Sequence, residues 1–208
     1  MKMLAMDLDG TLLNSLNRHK IVLDKVLADL SMDLDTNFYL DMKRRGFSTS
    51  KFLSNSGVEA DLNIDICLRW RQLVENMEYL RHDFLYPKTE DFLSQVSKTY
   101  NLVLITARNN KQTALEQIKN LNISKHFKYI YIVASNVNTA KNKIDILKKH
   151  KLIAYIGDTE VDLEIAKALK LNFFALNYGL RNETFWNELG IKSFDNLLQI
   201  NLNERSIL

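Results

Sequence analysis

Five short runs of apolar residues recur along the chain, and each has the length of a single β-strand. Continuous apolar runs, as opposed to alternating ones, are typical of strands that are covered on both faces. The pattern therefore predicts five buried strands. They are Met3–Met6, Leu102–Ile105, Tyr129–Val133, Leu152–Ile156 and Asn172–Leu176.

Between the later runs, apolar residues recur with the spacing of an α-helix. Strands that alternate with helices pair in parallel through right-handed crossovers. The pattern therefore predicts an α/β fold with a Rossmann-like three-layer core around a mostly parallel sheet. The predicted helices of this core are Glu90–Tyr100, Lys111–Leu121, Lys143–His150 and Glu160–Lys170.

The segment between the first and second runs breaks this alternation, because it has helical periodicity and no convincing strand. One helix is predicted over residues 21–30 and another from Ile64 to Leu80. The only proline, Pro87, follows this segment and favours an extended return to the core. We therefore expect a discontinuous core of residues 1–14 and 84–208, and an inserted helical unit of residues 15–83.

Composition narrows the class of protein. With 208 residues, 46% apolar and 25% charged, the chain has the composition of a folded globular protein. The net charge of +3 comes from basic residues spread along the chain, which gives little support for nucleic-acid binding and permits mild attraction of small anions. A single cysteine, Cys67, is typical of a reducing compartment, so a cytoplasmic protein is expected.

No apolar run approaches the roughly 18 residues of a membrane-spanning helix, and the stretch before Asp7 is too short for a signal peptide. We therefore expect no contact with membranes. A monomer and a homodimer are both compatible with the composition.

Acidic residues stand at the carboxyl ends of two predicted strands, where parallel α/β sheets bind their ligands. Asp7 and Asp9 follow the first run, and Asp158 follows the fourth. Residues two apart on an extended segment point the same way, so Asp7 and Asp9 can share a pocket. Burying such carboxylates unpaired costs several kcal/mol each, as a rough figure, unless a cation is present. The cluster therefore predicts Mg²⁺ together with an anionic substrate.

Groups that bind phosphate are expected opposite these carboxylates. Thr106 offers a hydroxyl and, with Ala107, backbone N–H groups at the start of the next helix. Lys143 can supply a positive charge, and Lys141 is the alternative for this role. Together with a carboxylate nucleophile, these groups form an inventory for phosphoryl transfer through an aspartyl-phosphate.

Four segments, in this order along the chain, resemble the motifs of the haloacid dehalogenase-like superfamily of phosphohydrolases. They are Asp7–Leu12, Leu104–Thr106, Lys143 and Gly157–Asp162. The inserted unit resembles, in architecture only, the helical cap of the phosphoglycolate-phosphatase-like branch. The lysine motif departs from that branch because it lacks the proline that often follows.

The resemblance implies a role for each matching residue. Asp7 would attack phosphorus, while Asp9 would protonate the leaving alkoxide and then activate water. Asp7, the backbone carbonyl of Asp9 and Asp158 would bind Mg²⁺, and Gly10 would form the bend of the first motif. Thr106 and Lys143 would hold the phosphoryl oxygens.

Several residues have a second interpretation at this stage. Asp162 would orient Lys143 or a metal-bound water, or it would serve only in a capping box with Thr159. Arg108 replaces a residue pair common in the family, and it either contacts a second anionic group of the substrate or faces solvent. Arg44 and Arg45 belong to a basic run that either faces the pocket as a specificity loop or is simply solvated.

The function that these residues predict is a Mg²⁺-dependent phosphatase of a small phosphorylated metabolite. A phosphomutase or phosphotransferase on the same fold is the nearest alternative. A non-enzymatic, phosphate-responsive binding protein is the alternative from a different class.

Overall fold

The computed structural model describes residues 1–202, so the last six residues of the predicted core lie outside the described part. The strands, in chain order, are β1 (Met3–Met6), β2 (Leu13–Asn14), β3 (Phe84–Leu85), β4 (Asn101–Ala107), β5 (Phe127–Val133), β6 (Leu152–Gly157), β7 (Asn172–Leu176) and β8 (Ser193–Phe194). The helices are α1 (Leu16–Asp29), α2 (Thr36–Arg44), α3 (Thr49–Asn55), α4 (Ala60–Leu73), α5 (Met77–Leu80), α6 (Thr89–Val96), α7 (Lys111–Asn120), α8 (Thr139–Leu147), α9 (Glu160–Leu169) and α10 (Glu183–Glu188).

Six strands form the central sheet, in the order β5-β4-β1-β6-β7-β8, and every neighbouring pair is parallel. The predicted α/β fold class is confirmed. All five predicted strands lie in this sheet. Strand β8 joins its edge and was not predicted, because a strand of two residues gives no periodic signal.

Helices cover both faces of the sheet. In β1, Leu4 and Met6 pack in one apolar core with residues of α6 and α7. Ala5 points to the opposite face and packs in a second core with residues of α8, α9 and α10. This alternation follows from the two-residue period of a strand, and it produces the predicted three layers.

Helix α8 begins at Thr139, before the predicted start at Lys143. Its first turn follows a polar turn in which the Thr139 hydroxyl donates to the Asn136 carbonyl at 2.7 Å. Because this turn lacks apolar residues, the apolar pattern placed the start one turn too late. Lys143 consequently lies in the middle of the helix.

Helices α1 to α5 occupy the segment between β2 and β3. Helices α1 to α4 share an apolar core of their own, and Tyr79 of α5 packs with Val22 and Val74 in a smaller cluster. The predicted helix 21–30 corresponds to α1, and the predicted helix from Ile64 to Leu80 is divided into α4 and α5. Helices α2 and α3 were not predicted, because each is short and buries few residues.

The chain leaves the core and returns to it at one place. Strands β2 and β3 are antiparallel, with Leu13 opposite Leu85 and Asn14 opposite Phe84. The Tyr86 N–H donates to the Leu12 carbonyl at 3.0 Å just before Pro87. Within residues 1–202, no helix is long and apolar enough to cross a bilayer.

Candidate active site

The carboxyl ends of β1 and β4 open into a cavity of about 300 Å³ between the sheet and helices α1 and α4. Six of the predicted site residues line it, namely Asp7, Asp9, Thr106, Ala107, Arg108 and Lys143. The opposite wall comes from the inserted helices and includes Arg18, His19, Trp70 and Glu75. The fold therefore places predicted residues that are distant in the chain around one cavity.

Lys143 lies directly against Asp7. Its Nζ donates to Asp7 Oδ1 at 2.8 Å and to Asp162 Oδ1 at 3.4 Å, and its side chain is 3% exposed. Lys141 is exposed on the same helix, so Lys143 is the lysine that reaches the cavity. Burial would lower the pKa of Lys143, but the carboxylates of Asp7 and Asp162 raise it, so the ammonium stays charged.

Asp162 has both of the roles that the sequence left open. Its Oδ2 accepts from the N–H groups of Asp158 and Thr159 and from the Thr159 hydroxyl, which forms the capping box of α9. Its Oδ1 faces Lys143 and accepts from the Tyr155 hydroxyl at 3.1 Å. The carboxylate that caps the start of α9 therefore also holds the lysine.

Asp158 is fully buried next to the first motif. Its Oδ1 accepts from the Thr11 hydroxyl at 2.9 Å, and its Oδ2 accepts from the Leu180 N–H at 2.7 Å. Burial and the negative charges of Asp162 and Asp7 raise its pKa well above the usual range. Gly10 has φ of +77°, and a Cβ there would lie 1.9 Å from Asp158 Oδ2. The bend at Gly10 therefore depends on the absence of a side chain.

The residues present fit a divalent cation. Carboxylate oxygens of Asp7, Asp158 and Asp162 lie within 4.8 Å of one another. Lys143 supplies one positive charge against these three carboxyl groups, so their negative charges are not fully balanced when all three are ionised. Burial, opposed by Lys143, raises the pKa of Asp7 to about 7. Because a hard cation with oxygen ligands would remove this repulsion, the donor set suits a divalent cation.

The side chain of Asp9 points away from this carboxylate cluster and binds two arginines. Arg108 reaches it with Nε at 2.8 Å and Nη2 at 2.5 Å, and Arg18 Nη2 lies 2.5 Å from the same Oδ1. Burial would raise the pKa of Asp9, but Arg108 and Arg18 lower it to about 2. Arg108 is 5% exposed, so the alternative that it faces solvent was wrong.

Gln117 and Asp83 connect Arg108 back to Arg18, so these four residues and Asp9 form a closed ring of polar contacts. Gln117 Oε1 accepts from Arg108 at 3.3 Å, and Gln117 Nε2 donates to Asp83 Oδ2 at 2.7 Å. Asp83 Oδ1 forms an ion pair with Arg18 Nε at 3.3 Å. Sequence reasoning missed Arg18, Asp83 and Gln117. One signal was available for Arg18, because it occupies the same helical face as the buried Val22 and Val26.

The expectation that Thr106 and Ala107 stand at the start of a helix was wrong. Strand β4 continues through Ala107, and the Arg108 N–H donates to the Val133 carbonyl. Helix α7 begins only at Lys111. The N–H groups of Asn109 and Asn110, just before it, donate to the Glu75 carboxylate at 3.0 and 2.7 Å. The N–H groups that do precede α7 are therefore occupied by a carboxylate of the inserted segment.

Of the basic run, Lys43 rather than Arg44 or Arg45 contacts the wall of the cavity. Arg44 donates to the Asn177 carbonyl at 2.8 Å, and Arg45 is exposed beside the Phe47 ring, so neither lines the cavity around Asp7. Their neighbour Lys43 lies with its Nζ 5.5 Å from the centre of the Trp70 ring, which forms part of the cavity wall.

His19 is a buried neutral group in this wall, 9% exposed, and its pKa is lowered well below the usual value by burial and nearby cations. The unfolded chain therefore binds a proton that the folded chain excludes. Stability from His19 is full above about pH 6.5 and is lost as the pH falls, with a slope of up to about 1.4 kcal/mol per pH unit.

We expect His19→Gln to flatten the acid side of the stability profile. The free energy of unfolding, measured by urea titration between pH 7.5 and 5.5, should fall less in this variant than in the wild type. His82→Gln is the matched control, since His82 is only partly buried. Identical slopes for the wild type and His19→Gln would contradict the prediction.

Comparisons with known proteins bear on the family to which the chain belongs. The family model of the haloacid dehalogenase-like hydrolases matches residues 4–176. A search of curated proteins gave no significant match.

Solved structures share the fold at low sequence identity. A haloacid dehalogenase-like hydrolase of Streptococcus pneumoniae superposes with a TM-score of 0.75 at 21% identity over 96% of both chains. A predicted phosphoglycolate phosphatase of Haemophilus somnus gives a TM-score of 0.72 at 18% identity over 95% of both chains. The similarity of the structures shows the fold, and the match to the family model covers most of the sequence. The chain therefore belongs to the family of haloacid dehalogenase-like hydrolases.

Proposed function

We propose that this hydrolase is a Mg²⁺-dependent phosphatase, which cleaves a small phosphorylated metabolite through an aspartyl-phosphate on Asp7. The observation that carries the proposal is the position of Asp7. Its carboxylate lines the cavity, is 8% exposed, and lies 2.8 Å from the Lys143 ammonium. A nucleophile held beside a permanent cation can meet an anionic phosphoryl group at close range.

In the first half-reaction, an oxygen of Asp7 bonds to phosphorus as the bond from phosphorus to the leaving oxygen breaks. Lys143 and the Thr106 hydroxyl hold the phosphoryl oxygens, and Asp9 gives a proton to the leaving oxygen. Mg²⁺, held by Asp7, Asp158 and the backbone carbonyl of Asp9, would supply positive charge to offset the charge of the phosphoryl group. Ala107, which lines the cavity beside Thr106, offers a backbone N–H.

In the second half-reaction, Asp9 takes a proton from water, which attacks phosphorus and releases Asp7. The same carboxyl serves both steps because the first leaves it ionised. The two arginines that hold Asp9 lower its pKa to about 2 and so stabilise the ionised form that takes the proton from water. In the first half-reaction Asp9 must be protonated, so one of these ion pairs has to open before the leaving oxygen can receive its proton. Asp162 supports both half-reactions by holding Lys143 in place.

We further infer that residues 15–83 act as a cap over a core formed by residues 1–14 and the chain from residue 84 onward. His19, Trp70 and Glu75 of this segment lie across the cavity from Asp7. A wall of this kind excludes water from the reacting groups when it is closed. Its side chains would then determine which leaving group is accepted, and Arg108, which lines the cavity from the core, is a further candidate contact.

We expect the purified protein to release inorganic phosphate from p-nitrophenyl phosphate when Mg²⁺ is present. Removal of divalent ions with EDTA should abolish the release, and added Mg²⁺ should restore it, because the carboxylate cluster needs a cation. Equal release in EDTA and in Mg²⁺ would contradict the role of the metal. The absence of release from a panel of phosphorylated metabolites would contradict the phosphatase, and transfer of phosphate to a second sugar would instead indicate a mutase.

A further inference from the structure

A second cavity, of about 410 Å³, opens between the inserted helices and the core. Trp70 and Arg71 line both this cavity and the one around Asp7, so they form the partition between the two. The Trp70 ring is held in that place, because its Nε1 donates to the His19 carbonyl at 3.1 Å. We propose that the second cavity is a separate binding site for a small oxyanion, or for a metabolite that carries a carboxylate or phosphate group.

Lys43 supplies the positive charge that such a ligand needs. It lines the cavity from the last turn of α2, and within residues 1–202 no carboxylate lies at ion-pair distance from its ammonium. Aromatic faces contact the ammonium instead, with Nζ 5.7 Å from the centre of the Tyr39 ring and 5.5 Å from that of Trp70. Such faces attract a cation but are weak hydrogen-bond acceptors. The N–H donors of Lys43 are therefore available to a ligand.

The charge of Lys43 is costly without a ligand. Burial and the neighbouring Arg181 lower its pKa to about 8, although Glu160 acts in the opposite direction. Glu160 is already engaged by Arg181, which reaches it with Nε and Nη2 at 2.7 Å each. An anion beside Lys43 would offset the cost, because an opposite charge favours the ionised form of an ammonium.

The cavity as a whole carries an excess of positive charge. Its charged lining residues are the cations Lys43, Arg71 and Arg181 and the single anion Glu160. Arg71 is exposed, and in the part of the chain that the structure describes it pairs with no carboxylate. Ser50 adds a hydroxyl to the lining. A cavity of this size and sign suits a small anionic metabolite.

A ligand in this cavity would lie where two parts of the fold meet. Lys43 and Arg71 belong to the inserted helices, whereas Glu160 begins α9 and Arg181 follows β7 in the core. Arg181 Nη1 already donates to the Lys43 carbonyl at 2.9 Å. An anion held by both Lys43 and Arg181 would add an ionic link between the inserted helices and the core.

Cys67 provides a local reporter for the site. It is the only cysteine of the chain, and it lines the second cavity but not the one around Asp7. Burial raises the pKa of its thiol, and Arg71 and Lys43 oppose this rise because both cations lie close to it. An anion bound between these cations would cancel their effect on the thiol and block access to it.

The experiment follows alkylation of Cys67 by uncharged iodoacetamide, measured by mass spectrometry, with sulfate as the probe. At about pH 7, below the pKa of Lys43, saturating sulfate should slow the reaction at least about fivefold. Chloride at equal ionic strength should not, because a monatomic ion cannot accept hydrogen bonds from several donors in the way an oxyanion does.

Lys43→Met tests the role of the ammonium. Methionine keeps apolar contact with Tyr39 and Trp70 and removes a buried charge without a carboxylate partner, so the variant should stay folded. The sulfate concentration that gives half protection should rise at least about tenfold, because a charge-assisted hydrogen bond is lost. Lys51→Met, at an exposed position on α3, is the matched control and should keep the protection.

Two results would overturn the inference. One is the absence of saturable protection in the wild type, or equal protection in folded Lys43→Met. The other comes from kinetics with two alkyl phosphates that differ only in a terminal carboxylate. If Lys43→Met lowered kcat/KM for the carboxylate-bearing compound alone, the cavity would be the far end of the substrate site. A separate site predicts the same ratio of the two kcat/KM values in wild type and variant.

The failure of the proposed function would look different. Protection of Cys67 by sulfate requires no turnover, so it should persist even in a protein that releases phosphate from no substrate. An active phosphatase whose Cys67 is not protected would refute only the anion site.

Discussion

Asp7→Asn is expected to abolish phosphate release while leaving the protein folded. The amide has the shape of the carboxylate but cannot attack phosphorus, so no aspartyl-phosphate can form. We expect the rate to fall by at least about 10³-fold, the scale typical of a lost nucleophile. Phosphate release from p-nitrophenyl phosphate with Mg²⁺ measures this effect, and Asp65→Asn, at an exposed site, is the control.

The fold should tolerate Asp7→Asn for an electrostatic reason. The pKa of Asp7 is raised to about 7 by burial, which means that its charge is costly in the folded state. This cost is absent below about pH 4, grows between about pH 4 and pH 7, and is fully present and constant above pH 7. The variant should therefore be at least as stable as the wild type at pH 8 in thermal unfolding without metal. Residual activity in a folded Asp7→Asn protein would exclude Asp7 as the nucleophile.

Lys143→Met should have the largest combined effect on activity and stability. Removing this cation leaves Asp7 and Asp162 buried without their ion-pair partner. The loss of one member of a buried pair typically costs about 3–5 kcal/mol in the free energy of unfolding. Phosphate release should disappear as well, because the phosphoryl oxygens lose their positive partner.

Lys141→Met provides the matched control, since it makes the same substitution at an exposed position two residues earlier on the same helix. It should leave the urea midpoint and the rate close to those of the wild type. The destabilisation by Lys143→Met should be smaller at pH 5 than at pH 8, because a protonated Asp7 no longer needs a cation. An equal effect of the two lysine substitutions would contradict the assignment of Lys143.

Much of the fold could be predicted from the sequence because buried parallel strands are continuous apolar runs. The sheet strands β1, β4, β5, β6 and β7 were found in this way. The short elements β2, β3, α2 and α3 were missed because they have too few residues for a periodic pattern. Their positions depend on packing between segments, which a local pattern does not contain.

The site residues divide in the same way, into those that a local motif indicates and those that only the fold brings together. Asp7, Asp158 and Lys143 could be predicted because each stands in a recognisable motif at a strand end or on a helix. The ring around Asp9 could not be, because Gln117 and Asp83 are 34 positions apart and pair only through their side chains. The position of Ala107 was predicted wrongly because strand β4 extends two residues beyond Ile105, the end of the predicted run, and Ala107 pairs with Val133.

The paired strands β2 and β3 limit how the inserted helices can move. Both covalent connections to the core pass side by side through strands of two residues each. Because the two connections are adjacent and short, we expect any movement of the inserted helices to be mainly a rotation about the line of this strand pair. Arg18 and Asp83 lie within four residues of this strand pair, so they stand where the inserted helices join the core.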